Sequence, residues 1–340
     1  MKLFDTHAHF DQFATEGSVA AGRARAAAAG VERICAVGSS EASNALVVRL
    51  AQEHPETLLA AVGYDRDQLD QPRAMEKLAA LAAQPGVVAI GEIGLDYYYS
   101  AETAPAQRAL FGQMLEFAAN RGLPVVVHSR DADADTVAML TEFSTLWKIA
   151  ECRAQADRRR ANARSIAPRF CAASEGATAT AAAKCFHTVE KIPEKFPHCG
   201  KTGPGQRPGL QPIPTAGLPV ARGADPGVPP PGILHCFTGT AAFAEELLAL
   251  GFMISFSGIV SFNNAGPLRE VAQHIPEDRL LIETDCPYLT PKPFRGKVNE
   301  PAFVAYVAAV LADVRGTTGA ALAAATFANA ERIFQVEGRI

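Results

Sequence analysis

The chain has 340 residues, of which 48% are hydrophobic, and a formal net charge of −4 at pH 7. This size and composition are typical of a globular protein with one large α/β domain or two smaller domains. No run of eighteen apolar residues occurs, which excludes a transmembrane helix, and seven cysteines without a CxxC motif argue against a disulfide framework. Because the sequence opens on a predicted strand and not on a basic and apolar leader, we expect a cytoplasmic protein.

The negative net charge is unevenly distributed along the chain. Residues 144–231 carry 13 Lys or Arg against 6 Asp or Glu, a local excess of 7 positive charges. Subtracting this excess from the net charge of −4 leaves −11 for the rest of the chain. Such a surface does not attract nucleic acid through its overall field, so any binding of phosphate groups must depend on metal ions and local basic residues.

Strand-like and helix-like segments alternate at the spacing of α/β proteins. Short apolar runs, which indicate strands buried on both faces, occur near residues 3–9, 33–38, 58–64, 87–92, 124–128, 232–236, 252–257 and 280–285. Amphipathic segments, which indicate helices, occur at 18–29, 42–53, 73–83, 105–121, 133–142, 241–250, 266–273, 300–314 and 319–333. Eight strands, each followed by a helix, predict a TIM-type (β/α)₈ barrel of the α/β class. The alternative, an open doubly wound sheet, usually has a Gly-rich phosphate loop, and we find none.

One long insertion interrupts this alternation between the fifth helix of the barrel and strand 6. Residues 144–231 hold 12 of the 23 prolines, and we expect most of them to be disordered, although about 145–165 have the composition of a solvated helix. The insertion divides the barrel into a first part, 1–143 with strands 1–5, and a second part, 232–340 with strands 6–8 and the closing helices. Loops in this position lie at the amino-terminal face, away from the active site. Lengthening such a loop from about 6 to about 88 residues costs about 2.4 kcal/mol of closure entropy, which a barrel can tolerate.

Side chains that bind metal ions stand at the carboxyl ends of five predicted strands. They are His7 and His9 of strand 1, Glu92 of strand 4, His128 of strand 5, His235 of strand 6 and Asp285 of strand 8. The carboxyl ends of barrel strands meet at one mouth, where barrel enzymes build their active sites. Each residue alone could be a hydrogen-bonded histidine or a paired carboxylate, but the convergence of all six predicts a site for two metal ions.

The residue types suggest how the six ligands are divided. His7 and His9 are two residues apart, so their side chains point to the same face of a strand and can bind one ion; Asp5 is a candidate hydrogen-bond partner for one of these rings. Glu92 has two carboxylate oxygens and can bridge two cations. His128 and His235 are then candidates for the second ion, and Asp285 would complete the first ion and accept a proton from the attacking water.

This ligand set indicates hydrolytic chemistry. Two divalent ions about 3.5–4 Å apart lower the pKa of a water molecule toward about 7 and stabilise the attacking and leaving oxygens. The reaction that fits is hydrolysis of a phosphodiester or of another ester or amide. Mixed histidine and carboxylate ligands suit Mg²⁺, Mn²⁺ or Zn²⁺, and the sequence does not distinguish among these metals.

Six motifs surround the candidate ligands: FDTHAHF at 4–10, GEIGLDY at 91–97, PVVVHSR at 124–130, LHCFTG at 234–239, ETDCPYL at 283–289 and RGKVNEP at 295–301. Together these motifs resemble the TatD family of metal-dependent deoxyribonucleases, over about residues 1–143 and 232–335. The resemblance implies a TIM-type barrel, a two-metal site and exonucleolytic removal of nucleotides from the 3′ end of DNA. It also implies that His7, His9, Glu92 and Asp285 bind one ion, and that Glu92, His128 and His235 bind the other.

Four more residues near these motifs are candidate substrate contacts. Tyr97 is the first of three consecutive tyrosines, Tyr97, Tyr98 and Tyr99, of which one or more could stack on a base. Arg130, Arg295 and Lys297 could bind phosphate groups, although each could equally be a surface charge. We expect a monomer that acts on single-stranded 3′ ends of DNA and has no membrane partner.

Two alternative functions are left open by the sequence. One is a different metal-dependent hydrolase, either an amidohydrolase or esterase with a small substrate or a deacylase of D-aminoacyl-tRNA. Many amidohydrolases bridge their metal ions with a carboxylated Lys on strand 4, so Glu92 favours the nuclease but does not argue against the deacylase. The other alternative is an inactive barrel disabled by the insertion, against which the intact ligand set argues.

Overall fold

The structure is a computed structural model, and it describes residues 1–71, 73–150 and 229–336. Its strands form one parallel sheet in chain order, from β1 to β8. They are β1 (Leu3–Ala8), β2 (Val31–Val37), β3 (Leu58–Val62), β4 (Val87–Asp96), β5 (Val125–Arg130), β6 (Gly232–Leu234), β7 (Met253–Phe256) and β8 (Leu280–Ile282). The amide of Asp285 donates to the carbonyl of His7 (3.0 Å) and the amide of His9 donates to the carbonyl of Cys286 (2.8 Å). These bonds join the first and last strands, and the predicted (β/α)₈ barrel is confirmed.

Eleven helices accompany the strands in the described residues. They are α1 (Asp11–Thr15), α2 (Val19–Ala28), α3 (Glu41–Glu53), α4 (Met75–Ala82), α5 (Tyr97–Ser100), α6 (Ala104–Ala119), α7 (133–150), α8 (Ala241–Leu250), α9 (Gly266–His274), α10 (Val304–Arg315) and α11 (Gly319–Phe334). The short helices α1 and α5 were not expected from the sequence. No single helix in this part of the chain is long and apolar enough to cross a membrane, and Pro301–Arg315 with Gly319–Phe334 meets that test only as a pair bent by 112°.

Polar caps and glycines set the limits of several helices. The Ser40 hydroxyl accepts a hydrogen bond from the Ser43 amide at the start of α3, and Thr240 caps α8 in the same way. Such caps satisfy amides that have no partner in the first turn. At the other end of α8, Gly251 adopts φ +95°, a left-handed conformation that glycine accepts without steric cost. The Ser40 and Thr240 caps thus mark where α3 and α8 begin, and Gly251 marks where α8 ends.

Buried apolar side chains form two groups, one inside the barrel and one between the sheet and the helices. In β3, Leu59 and Ala61 belong to the inner group, and Leu58, Ala60 and Val62 belong to the outer group. This division follows from the alternation of side chains along a strand. The barrel interior is therefore a packed core and not a channel.

The last helix covers the amino-terminal end of the barrel. The ring of Phe4, at the start of β1, lies 5.8 Å from the ring of Phe327 and 5.6 Å from that of Phe334, both in α11. Ile333 belongs to the same buried group as Phe4. Because α11 covers this end, the opposite end, where the strands finish, is left to form the site.

The helix after β5 extends beyond the start of the predicted insertion. α7 continues past residue 143 to residue 150, and Ser144 and Trp147 are buried. The Ser144 hydroxyl donates to the carbonyl of Leu250 (2.8 Å), and Trp147 Nε1 donates to the carbonyl of Pro229 (2.9 Å). The boundary expected at residue 144 thus falls inside a packed helix. The expectations for residues 151–228, including disorder, lie outside the described residues.

Replacing Trp147 with Ala tests whether this contact anchors the two ends of the insertion to the barrel. We expect the free energy of unfolding to fall by about 3–5 kcal/mol, because a large buried ring is removed and a cavity is left. Urea unfolding followed by circular dichroism measures the loss. The neighbouring Leu146 is half exposed, so Leu146→Ala is the control and should stay within about 0.5 kcal/mol of the parent. Equal values for the two variants would contradict the anchoring role.

Candidate metal centre

The sequence predicts that strand 4 ends at Glu92, but in the structure Glu92 lies inside β4. The strand continues to Asp96, where it pairs with β5 through Gly94 opposite His128 and Asp96 opposite Arg130. Gly94 has φ +139°, and a Cβ at this position would clash with the carbonyl oxygen of His128. The glycine therefore allows the two strands to approach closely beside the candidate ligands, and the extension places a second carboxylate, Asp96, at the mouth of the barrel.

Four donor atoms, from β4 and from the ends of β1 and β8, form the first cluster. Nε2 of His7 lies 3.2 Å from Nε2 of His9, 3.6 Å from Oε2 of Glu92 and 3.8 Å from Oδ1 of Asp285. Nε2 of His9 lies 3.4 Å from the same Glu92 oxygen and 3.6 Å from the same Asp285 oxygen. Ligands about 2.1 Å from a tetrahedral ion are about 3.4 Å from one another. The spacing and chemistry of this cluster therefore fit one divalent cation.

The second cluster uses the other oxygen of Glu92. Oε1 lies 3.2 Å from Nε2 of His235 and 3.4 Å from Nδ1 of His128. His235 is the more central of the two histidines, since His7, Glu92 and His235 each place a donor atom within 4.8 Å of the others. His128 approaches the same Glu92 oxygen from the edge of this group. Each oxygen of Glu92 thus faces a different pair of histidines, which is the arrangement expected of a carboxylate that bridges two ions.

Each histidine of the second cluster has a carboxylate at its other ring nitrogen. Oε1 of Glu283 lies 3.5 Å from Nδ1 of His235, and Oδ2 of Asp96 lies 3.1 Å from Nε2 of His128. A carboxylate in this position orients the ring and makes the ligand nitrogen more basic. Neither acid is assigned a role from the sequence alone. The only sequence signal was that each belongs to a motif that carries a ligand.

Asp5 has a different role from the one expected. Its carboxylate accepts hydrogen bonds from the amide (2.9 Å) and the hydroxyl (2.6 Å) of Thr284, and from the backbone amide of His7 (3.3 Å). It therefore joins β1 to the segment after β8 and is not the partner of a histidine ring. Burial, together with the nearby charge of Glu283, raises the pKa of Asp5 to about 8.

The field inside the site attracts positive charge. Burial alone would lower the pKa of His9 and of His235. The Asp285 hydrogen bond and the Glu92 charge nevertheless raise the pKa of His9 to about 9. The charges of Glu92 and Glu283 likewise raise the pKa of His235 well above its usual range. Burial would raise the pKa of Glu92, yet the charge and hydrogen bond of His235 hold it well below its usual range. The Glu92 carboxylate thus stays ionised and favours cations beside it.

Of the six candidate ligands, all but His7 line a cavity of about 910 Å³ at the carboxyl end of the barrel. Arg66 and Arg130 both line the cavity, and Nη1 of Arg66 lies 3.5 Å from Oδ2 of Asp96. Tyr99 and Tyr288 also line it. The cavity therefore combines the clustered donors with guanidinium groups and aromatic rings.

Of the four predicted substrate contacts, only Arg130 lines this cavity. The hydroxyl of Tyr97 donates instead to Asp135 Oδ2 (2.6 Å). The guanidinium of Arg295 lies 3.9 Å from the ring centroid of Phe262, and Nζ of Lys297 lies 5.3 Å from that of Phe294. A role for Tyr97, Arg295 and Lys297 in binding substrate stays a prediction.

Comparison with known families identifies the chain. Its sequence matches the family model described as TatD related DNase over residues 4–190 and 219–335. The chain belongs to the TatD family. It is 32% identical to the metal-dependent hydrolase YabD of Bacillus subtilis, over 98% of this chain and 99% of the relative. It is 30% identical to the 3′-5′ ssDNA/RNA exonuclease TatD of Citrobacter rodentium, over 92% of this chain and 90% of the relative.

A solved structure supports the same assignment of the fold. The TatD homologue YJJV of Escherichia coli K12 aligns with a TM-score of 0.69 and 24% identity, over 98% of each chain. The likeness shows a common barrel. The activity class rests instead on the family match and on the 32% identical metal-dependent hydrolase of Bacillus subtilis, which identify this protein as a metal-dependent hydrolase.

Glu283→Gln tests the carboxylate behind His235. The amide side chain keeps the shape but loses the charge, so we expect the second ion to bind about 10- to 100-fold more weakly, while the first ion is affected less than about threefold. Titration calorimetry of metal-stripped protein resolves the two binding events. Glu142→Gln, on the exposed surface of α7, is the control. Unchanged affinity of both ions for the Glu283 variant would show that this carboxylate does not support metal binding.

Metal binding should also release protons. The pKa of His9 is about 9, so the ring is protonated at pH 7 and must lose its proton before it can bind an ion. We expect affinity for Mn²⁺ to rise by up to about tenfold per pH unit for each proton released between pH 7 and pH 9, and then to level off. Calorimetry in two buffers of different ionisation enthalpy counts the protons. His9→Asn should release about one proton fewer, and pH-independent binding by the parent protein would refute this linkage.

Proposed function

We propose that this protein is a two-metal exonuclease that removes nucleotides from the 3′ ends of single-stranded DNA. The observation that carries the proposal is the division of the Glu92 oxygens between two histidine pairs. Sites that hold two ions in this way are suited to displacement at phosphorus, because both the attacking and the leaving oxygen are stabilised. The name of the Citrobacter rodentium relative, a 3′-5′ ssDNA/RNA exonuclease, supports the same reaction and polarity.

The proposed division of ligands follows the two clusters. His7, His9, Asp285 and Oε2 of Glu92 would hold one ion, and His128, His235 and Oε1 of Glu92 would hold the other. Bound divalent ions would supply a water of lowered pKa and would neutralise charge on the phosphate. Glu283 and Asp96 would keep the rings of the second cluster oriented toward the ions.

Asp285 is the proposed proton acceptor. Burial would raise its pKa, but the hydrogen bond from His9 and the charges of His7 and His235 lower it overall. The carboxylate is therefore ionised at neutral pH and can take the proton that the attacking water loses. Its position at the mouth, lining the cavity beside His9, suits this role.

The cavity has room for a nucleotide-sized part of a polymeric substrate. Its volume of about 910 Å³ is at the upper end of the range for small-molecule sites. Because the barrel carries a net negative charge, the ions and the guanidiniums of Arg66 and Arg130 would supply the attraction for the phosphate backbone. We propose a monomer that acts in the cytoplasm, as expected from the sequence.

The first experiment is a cleavage assay with metal-stripped protein refilled with Mg²⁺, Mn²⁺ or Zn²⁺. With 5′-labelled single-stranded DNA, we expect a ladder that shortens from the 3′ end and that returns only when metal is restored. Glu92→Gln should lower the rate by at least about 10²–10³-fold, because charge stabilisation of the transition state is lost. Glu142→Gln is the matched control and should cleave at the parent rate.

Two results would overturn this proposal. One is the absence of cleavage with all three metals by folded protein that binds two ions. The other is shortening of the substrate from its 5′ end, which 3′-labelled DNA would reveal as a ladder of shorter fragments that keep the label. An RNA oligonucleotide of the same sequence measures the preference between DNA and RNA.

A further inference from the structure

Two neighbouring tyrosines, one of which lines the cavity, are unusually exposed. The relative exposure of Tyr98 is 59% and that of Tyr99 is 65%. Exposed aromatic rings become buried when a ligand covers them, so such a pair beside a binding cavity is a candidate contact surface. Tyr99 and Arg130 line the cavity. We call Tyr98, Tyr99 and Arg130 together the aromatic platform.

The side chains of the aromatic platform hold one another in place. The guanidinium carbon of Arg130 lies 3.8 Å from the ring centroid of Tyr98 and 4.9 Å from that of Tyr99. The two rings are nearly perpendicular, at 89°, with their centroids 4.9 Å apart. Cation–π and edge-to-face contacts of this kind stabilise defined ring positions. The exposed rings are therefore arranged before any ligand arrives.

Asp96 connects the aromatic platform to the metal centre. One oxygen of its carboxylate accepts hydrogen bonds from the amides of Tyr98 (3.0 Å) and Tyr99 (3.1 Å). The other oxygen lies 3.1 Å from Nε2 of His128, a ligand of the second cluster. One buried side chain thus contacts both the backbone of the exposed tyrosines and a candidate metal ligand, and Tyr99, Arg130 and His128 line the same cavity.

The chemistry of the aromatic platform matches an unpaired nucleotide. Aromatic rings stack on the faces of all four bases, and a guanidinium can stack as well or bind the adjacent phosphate. A base can present its face only when it is neither paired nor stacked in a duplex. The platform therefore favours single strands without reading their sequence.

The geometry points to the aromatic platform as the subsite that stacks a base next to the scissile phosphate and selects single-stranded over duplex ends. This inference rests on the proposed nuclease function and names what determines its substrate class. Tyr97, the stacking residue expected from the sequence, is held away by Asp135, and its two neighbours take that role.

The test separates binding of bases from cleavage of phosphate esters. We expect Tyr98→Leu to raise KM for a single-stranded oligonucleotide by about 5- to 100-fold, with little change in kcat. Hydrolysis of bis(p-nitrophenyl) phosphate, which has no base, should be unaffected. Tyr98→Phe keeps the aromatic face and should restore the parent KM. Tyr306→Leu, which removes a tyrosine exposed on α10, is the matched control and should behave as the parent does.

Direct binding gives a second readout. In the Glu92→Gln background, fluorescence anisotropy should show the same loss of single-strand affinity for Tyr98→Leu and little change for a blunt duplex. If the parent cleaves DNA but Tyr98→Leu keeps its KM and its preference for single strands, the platform inference fails alone. If the parent neither binds nor cleaves DNA while hydrolysing the small diester, the proposed function fails and this inference fails with it.

Discussion

The structure depends on one buried carboxylate that must face two pairs of histidines at once. Glu92 is almost completely buried, and its Oε1 and Oε2 each contact two imidazole rings. An ionised carboxylate at this depth is costly unless cations or strong hydrogen-bond donors surround it. The barrel provides such partners, because it places imidazole rings from β1, β5 and the end of β6, and the Asp285 carboxylate after β8, around the middle of the extended β4.

The outer carboxylates follow from the same constraint. Glu283 and Asp96 add negative charge behind His235 and His128, which strengthens the demand for cations that Glu92 and Asp285 already create. The carboxylates of the site raise the pKa of His9 and His235, and both rings must lose a proton before they can bind an ion, so the affinity of the site for ions depends on pH. Asp5 lies in the same field, and its raised pKa (about 8) shows that the interior resists a further anion.

The sequence predicts the architecture and the convergence of the six candidate ligands because both depend on local pattern. Buried strands are apolar runs, and the ligands follow or interrupt them in a way that barrel geometry makes convergent. The roles of Glu283 and Asp96 depend on which ring each one meets in space, and no spacing encodes that. The same limit explains why Tyr97 was favoured over Tyr98 and Tyr99, since their environments differ only after β4 extends to Asp96.

Composition was a weaker guide at the edge of the insertion. The segment that contains Trp147 looks like the beginning of an Ala- and Arg-rich insertion, yet its tryptophan packs on Phe143 and bonds to Pro229. The burial of this segment depends on one large side chain, which the average composition of the neighbouring residues does not reveal.

The position of the insertion gives the second cluster a structural cost that the first cluster does not have. The insertion separates β5 from β6, and these strands supply His128 and His235. They are nevertheless adjacent in the sheet, where the amide of His235 donates to the carbonyl of Val127 (3.0 Å). The pairing of β5 with β6 and the packing of Trp147 must therefore offset the unfavourable closure entropy of this long connection. A cation held between the two histidines would oppose that cost and would couple the closure of the barrel to the formation of the second cluster.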